Sequence, residues 1–376
     1  MPEFPYSRLR RWPDVEADNL QAYDATDLLL VERALSLDVP GSETVVVGDE
    51  YGAITLALMA AGRHGIRVHQ DLATGRRALQ RNAEELGLAG CTAHELEPAL
   101  LSGARLVLLQ LPKALAELEE IADAVARWAA PDVVLVAGGR VKHMTLTQND
   151  VLGRSFAHVQ PQRAERKSRL IVSSGPLPVP ADPPFPVTAR HDGLTLVAHG
   201  GAFAGARLDI GTRALLEVLG TEPTSSAADV LDLGCGTGAL AVSYALAHPE
   251  ARVIATDRSA AAAASARATA VANGVADRVT VTQDDAASEV PDASIDLVLL
   301  NPPFHLGASI HTGAATRLFE AAARVLRPGG ELFTVYNSSL GYRAELTRLI
   351  GPTAQLQRTP KFTVTRSIRS SETPDS

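Results

Sequence analysis

Val230-Leu231-Asp232-Leu233-Gly234-Cys235-Gly236-Thr237-Gly238 is the stretch that decides how this chain is read. A short apolar run ending in alternate glycines predicts a strand that stops in a tight turn, with a helix, Ala239–Ala247, opening directly behind it. Gly234, Gly236 and Gly238 leave the backbone bare. A nucleotide-like ligand can lie against it, meeting backbone N–H groups and a helix N-terminus. Asp257 lies nineteen residues beyond Gly238, after the strand-like run Arg252–Thr256, where an acid hydrogen-bonds ribose hydroxyls in nucleotide-binding βαβ units. After Val279–Gln283, Asp284 or Asp285 can accept from an adenine amino group. Asp285 is the favoured one, and Asp284 reads equally as a helix cap.

A second stretch, Asn301-Pro302-Pro303-Phe304, follows the strand-like run Ile295–Leu300. An exocyclic base nitrogen is a poor nucleophile because its lone pair is delocalised into the ring. The Asn301 side-chain oxygen and the Pro302 carbonyl can accept its two N–H bonds and aim the lone pair. Pro302 and Pro303 keep that carbonyl in place, and Phe304 can stack on the base. The glycine turn, the acid and this tetrapeptide together point to methyl transfer from S-adenosylmethionine to a planar amino group, by positioning and electrostatics, without a metal. The target base must be unpaired or flipped out. A nicotinamide dehydrogenase shares the turn and the acid. Its fingerprint, however, is Gly-x-Gly-x-x-Gly where this chain has Gly-x-Gly-x-Gly, and it has no use for Asn-Pro-Pro-Phe. His305 and His311, just downstream, are placed to touch substrate but read as solvated loop residues, and no catalytic base is assigned.

The chain repeats itself. Thr44–Gly48 followed by Gly52 and a helix Ala53–Ala61 matches Val230–Gly234 followed by Gly238, at an offset of 186. The acids Asp71 and Asp257 share that offset, and Gln110 matches Asn301 at 191. Alternating strand-like and helix-like runs throughout predict an α/β fold, here two tandem Rossmann-like units related by internal duplication. The first unit is chemically degenerate: Glu50 replaces the middle glycine, and Gln110-Leu111-Pro112-Lys113 has no ring to stack on a base. A proline-rich spacer, Ser173–Pro184, places the boundary near residue 180, giving 1–180 and 181–376. Beyond it, Val187–Arg190 and Leu194–Ala198 flank His191-Asp192-Gly193 as a β-hairpin.

The length of 376 residues accommodates two cores, and 46% hydrophobic with 21% charged residues is ordinary for a globular α/β chain. Neither an eighteen-residue apolar run nor a signal-peptide layout is present, so a cytoplasmic protein is expected. Two cysteines, Cys91 and Cys235, support neither a disulfide framework nor a zinc site. A net charge of −8 argues against coating nucleic acid non-specifically. Local basic clusters remain, among them Arg8/Arg10/Arg11, Arg163/Arg166/Lys167/Arg169 and Arg358/Lys361/Arg366/Arg369.

These residues resemble the class I S-adenosylmethionine-dependent methyltransferases. More narrowly, the chain resembles the bacterial tandem-domain ribosomal RNA guanine-N2 methyltransferases over nearly its whole length. Asp232–Gly238, Asn301–His305, Gly329-Gly330-Glu331-Leu332, Lys361–Val364 and the lead-in Phe203 with Leu208–Gly211 carry the likeness. Leu111–Leu115 and Gly139–His143 favour the branch acting on large-subunit RNA over the small-subunit branch. The resemblance implies S-adenosyl-L-methionine held by Asp232, Gly234, Gly236, Gly238, Asp257, Asp285 and Asn301. It also implies catalysis at Asn301, Pro302, Pro303 and Phe304, with ribosomal RNA or a ribosomal subunit as partner, and a first unit that supports the second and engages RNA. A monomer is expected. Competing readings are methylation of adenine N6 or of a protein glutamine amide, and a non-catalytic RNA-binding assembly factor.

Overall fold

The strand-like runs of the two halves form two separate seven-stranded sheets in the computed structural model, which describes residues 4–371 apart from 15, 18, 223–227 and 304–311. The chain divides into two compact units, Met1–Phe185 and Pro186–Ser376. In the first, β1 (Thr44–Val47), β2 (Arg67–His69), β3 (Thr92–Ala93), β4 (Leu106–Gln110), β5 (Val134–Arg140), β6 (Phe156–Pro161) and β7 (Ser168–Pro176) lie in the order β3-β2-β1-β4-β5-β7-β6. All neighbours up to β5 are parallel, and β7 runs antiparallel to both β5 and β6.

In the second unit a hairpin comes first, β8 (Val187–His191) and β9 (Leu194–Ala198), joined by Asp192 and Gly193, both left-handed. Positive φ at both central residues is what a two-residue turn between right-twisted strands demands. The sheet follows with β10 (Asp229–Leu233), β11 (Arg252–Asp257), β12 (Val279–Gln283), β13 (Ile295–Leu300), β14 (Leu326–Asn337), β15 (Thr353–Arg358) and β16 (Phe362–Ile368). Its order, β12-β11-β10-β13-β14-β16-β15, repeats the first strand for strand, with β16 antiparallel to β14 and β15.

Parallel strands covered on both faces read as continuous apolar runs because neither face meets water. β1 is buried at every position. Val46, Leu106 and Leu108 point to one core, with helices Ala25–Leu35 and Ala53–Ala60; Val45, Val47, Val107 and Leu109 point to another, with helix Leu115–Trp128. In the second unit Val230, Val253, Leu297 and Leu299 face helices Ile210–Leu219, Ala239–Ala247 and Ala260–Ala272, while Leu231, Leu233, Val298 and Leu300 face helix Thr312–Val325. Truncating such a leucine to alanine costs about 2–5 kcal/mol.

The alanine-rich helix Ala260–Ala272 also docks the hairpin through polar side chains. Val197 N donates to Thr269 Oγ1 at 3.0 Å, His199 N to Ser265 Oγ at 2.9 Å and Thr195 N to Asn273 Oδ1 at 3.0 Å. These three acceptors stand four residues apart, so they share one face of the helix and its C-cap and satisfy the edge of β9.

Candidate active site

Leu233 of β10 pairs with Leu300 of β13, so the loops leaving both strands start side by side where the strand order reverses. Open α/β sheets bind ligands at that point. The turn glycines are all left-handed, with φ of +78° at Gly234, +53° at Gly236 and +77° at Gly238. A Cβ at Gly238 would lie 3.0 Å from Ala266, so this glycine also sets how closely two helices approach. One at Gly236 would meet nothing within 4 Å, leaving open space beside the backbone.

Four amides of the turn are engaged within the protein. Gly234 N and Cys235 N donate to the Thr256 carbonyl at 2.8 and 3.0 Å, Gly238 N to the Cys235 carbonyl at 2.8 Å, and Gly236 N to Asp257 Oδ2 at 2.9 Å. The sequence suggests N–H groups facing a ligand. Beside these bonds the turn offers bare Cα atoms and the room they leave, and helix Ala239–Ala247 opens with no side-chain cap.

Two acids fix the turn. Asp232 is buried on β10 and accepts from Ala241 N at 2.9 Å, tying strand to helix, while its Oδ1 has no partner. Burial first, and the charge of Asp257 second, push its carboxyl up to about 7. Asp257, at the end of β11, accepts from Gly236 N and Ser259 N, each at 2.9 Å. A carboxylate oxygen accepts more than one hydrogen bond, so Asp257 can hold the turn and take ribose hydroxyls together.

Asp284 and Asp285 have separate roles. Asp284 is buried, accepting from Asp285 N at 2.7 Å and Glu289 N at 2.9 Å: it builds the loop, as its cap-like reading suggests. The Asp285 carboxylate is paired with the Arg317 guanidinium of helix Thr312–Val325. It is therefore held as half of an ion pair, a partnership with no local signal in the sequence.

Asn301 is the best-defined member of the site. Its Nδ2 donates to Thr212 Oγ1 at 2.9 Å and Asp209 Oδ2 at 3.2 Å. Asp209 is itself fixed as the N-cap of helix Ile210–Leu219, accepting from Gly211 N at 2.9 Å. A carboxylate only accepts, so the amide has one orientation. Oδ1 is left buried and unpartnered. An orphan acceptor costs about 1–3 kcal/mol unless a donor meets it. Pro302 is buried behind Asn301 and Pro303 is exposed. Phe304, His305 and His311 lie outside the described residues. The Asp209–Thr212 clasp was missed as a functional feature, although Leu208–Gly211 marked the place.

The first unit keeps the frame of this site without its opening. Gly48 and Gly52 are left-handed, at +81° and +87°, but Glu50 between them is not. Asp49 is buried in the turn, accepting from Ile54 N at 3.1 Å and Thr55 N at 2.8 Å. Tyr51 is buried and donates to Asp14 at 2.8 Å, with the Arg11 guanidinium 4.7 Å from its ring centre. Asn82 clasps Arg10 through both backbone groups at 2.9 Å and donates to the Tyr51 carbonyl at 2.8 Å. The N-terminal segment is thereby fastened to the turn that a cofactor would need.

The strand order, the glycine turn at the switch point and the acid closing β11 define a class I methyltransferase fold, present twice. Known proteins agree. The family model "Methyltransferase small domain" matches residues 193–366, and "RLMG N-terminal domain" matches residues 3–176. Proteins named ribosomal RNA large subunit methyltransferase G from Streptomyces avermitilis and Streptomyces coelicolor are each 36% identical, over 96% of this chain and 96% and 97% of theirs. One from Ectopseudomonas mendocina is 34% identical over 97% of this chain and 98% of its own. A solved T. thermophilus 16S rRNA N2 methyltransferase, in complex with AdoMet and guanosine, shares the fold with a TM-score of 0.75 at 24% identity, covering 97% of this chain and 98% of that one. The chain belongs to the ribosomal RNA large subunit methyltransferase G family.

Proposed function

We propose that the protein methylates the exocyclic N2 amino group of a guanine in large-subunit ribosomal RNA, in the cytoplasm, using S-adenosyl-L-methionine. The observation that carries this reading is the orphaned Asn301 Oδ1, held by a clasp that fixes the amide and leaves one acceptor for a substrate N–H. The residues present fit the cofactor: open space at Gly236, an acid at the end of β11 and a second acid beyond β12. When bound, the cofactor supplies an electrophilic sulfonium methyl. Asn301 accepts one N–H of the guanine amine and the Pro302 carbonyl the other, which draws the nitrogen toward tetrahedral geometry and aims its lone pair. The amide is already oriented, so little reorganisation is left for the reaction itself. The first unit serves as scaffold and RNA-engaging surface, a role supported by the closed state of its turn.

Methyl transfer from labelled S-adenosylmethionine to separate pools of 16S RNA, 23S RNA and assembled subunits from cells lacking the enzyme tests this. Label is expected in 23S RNA or the large subunit, recovered as N2-methylguanosine after digestion. Label recovered as N6-methyladenosine, or only in protein, would overturn the acceptor.

A further inference from the structure

The motif Gly139–His143 ends β5 and forms one rim of a cavity that the site above leaves unused. The cavity measures about 130 Å³, well under the roughly 300–1,000 Å³ of drug-sized sites, so it takes one small group. Its walls are aliphatic, with Val141, Leu146, Pro161 and Ile171 among them. Three polar residues, Thr145, Arg169 and Asn149, also line it, and the last two each have a buried atom with no partner: Arg169 Nε and Asn149 Oδ1. The first can only donate and the second accepts. An occupant satisfying both presents an acceptor and a donor on an apolar plate, as the edge of a nucleobase does.

The surroundings separate a nucleobase from a peptide amide. Residues 140–169 carry seven Arg or Lys against two Asp or Glu, in a chain whose net charge is −8. Arg166 is committed to Glu32 and Arg154 to Glu119. Lys142, Arg163 and Lys167 are exposed, with no ion pair among the described residues. Arg166 and Lys167, both left-handed, form the tip between β6 and β7, and Lys167 O accepts from Val141 N at 3.0 Å, joining that tip to the cavity rim. Leu146, 79% exposed, lines the cavity and extends its apolar wall toward solvent.

We infer that this cavity seats one unpaired nucleobase of the RNA substrate, its edge on Arg169 and Asn149 and the flanking phosphates on Lys142, Arg163 and Lys167. The inference rests on the RNA reading above and assigns the first unit a specific contact. A base held against this aliphatic wall contributes affinity through buried apolar area, while the lysines contribute salt dependence.

The probe is a fluorescein-labelled single-stranded RNA of mixed sequence, titrated with the full chain by anisotropy at several salt concentrations. Leu146→Glu and Arg169→Met should each weaken binding about tenfold, the scale of one lost apolar contact or hydrogen bond. Lys142→Gln with Lys167→Gln should lower the salt slope by about one to two. Arg154→Gln, already ion-paired, should bind as wild type. A 4-thiouridine version of the probe should crosslink to the peptides holding Met144 or Pro161. Unchanged affinity in Leu146→Glu and Arg169→Met, with unaltered urea midpoints, overturns the inference, as do crosslinks confined to other peptides. Methyl transfer measured in parallel separates the two claims. Cavity-dependent RNA binding with no methylated RNA leaves this site standing and sinks the enzymatic reading; methylation with an unchanged KM in Leu146→Glu does the reverse.

Discussion

The two copies of the fold differ less in what holds them together than in what they leave open. In each, one buried carboxylate accepts the same amide at the start of the helix after the turn, Ala241 N in the second copy and Thr55 N in the first. In the second copy that acid, Asp232, sits on the strand, and a Cβ at Gly234 or Gly236 in the turn above it would meet nothing within 4 Å. In the first it is Asp49, in the turn itself, where Glu50 has replaced the middle glycine and Tyr51 anchors the N-terminal segment. The amide at the end of the fourth sheet strand is likewise tied back to an acid at the start of the first α-helix of its unit, Asn301 to Asp209 and Gln110 to Asp27. Bonds that define the fold were kept on both sides. Among these contacts, the differences gather at the turn.

The comparison breaks most sharply at Gly236. Gly236→Glu imitates Glu50, places a side chain in the open space and forces a left-handed backbone on a non-glycine residue. Cofactor binding should fall below detection by calorimetry. Gly236→Ala carries the backbone penalty of about 1–2 kcal/mol without filling the space, so it should retain weakened binding. Normal binding by Gly236→Glu would show that the first copy is closed by something other than its turn.

Next in size is the amide. Asn301→Ala should lower methyl transfer by about a hundredfold or more, the scale of losing one positioned polar contact in the transition state, with cofactor affinity nearly intact. The matching change in the first copy, Gln110→Ala, should leave the rate within about threefold. Single-turnover rates on the methylated RNA pool decide it, and equal losses from the two changes would erase the distinction drawn between the copies.

The duplication and its chemistry were legible in the sequence because glycine spacing, strand runs and motif residues are local signals. The turn after β10 and Asn301 after β13 do start side by side at the switch point, as parallel pairing of those strands requires. What was not legible depends on contacts across the sheet. Arg317 reaches Asp285 from 32 residues away, and Asp209 reaches Asn301 from 92; neither spacing has a period that marks it. The engaged amides of the turn were also hidden, since a glycine turn reads alike whether its N–H groups face a ligand or Thr256. Ser265, Thr269 and Asn273 were visible at helical spacing, but only the docked hairpin explains them.

The smallest expected effect concerns the price the first copy pays for its closed turn. Asp27 is buried close to Asp49, and burial first, then that neighbouring charge, push its carboxyl up to about 8. An unfolded aspartate titrates near about 3.9. Between those values the folded chain binds the extra proton, so stability is greatest in acid and declines as pH rises toward about 8. Both tryptophans, Trp12 and Trp128, lie in the first unit, so their fluorescence reports its unfolding within the full chain. The urea midpoint should fall from pH 5 to pH 8, and fall less in Asp27→Asn, which cannot ionise there. Some slope should remain, because the buried Asp49 carboxyl is also raised, mainly by desolvation. A slope identical in the two proteins would mean that Asp27 is not the group titrating, and that the closed turn carries no proton-linked penalty at that helix.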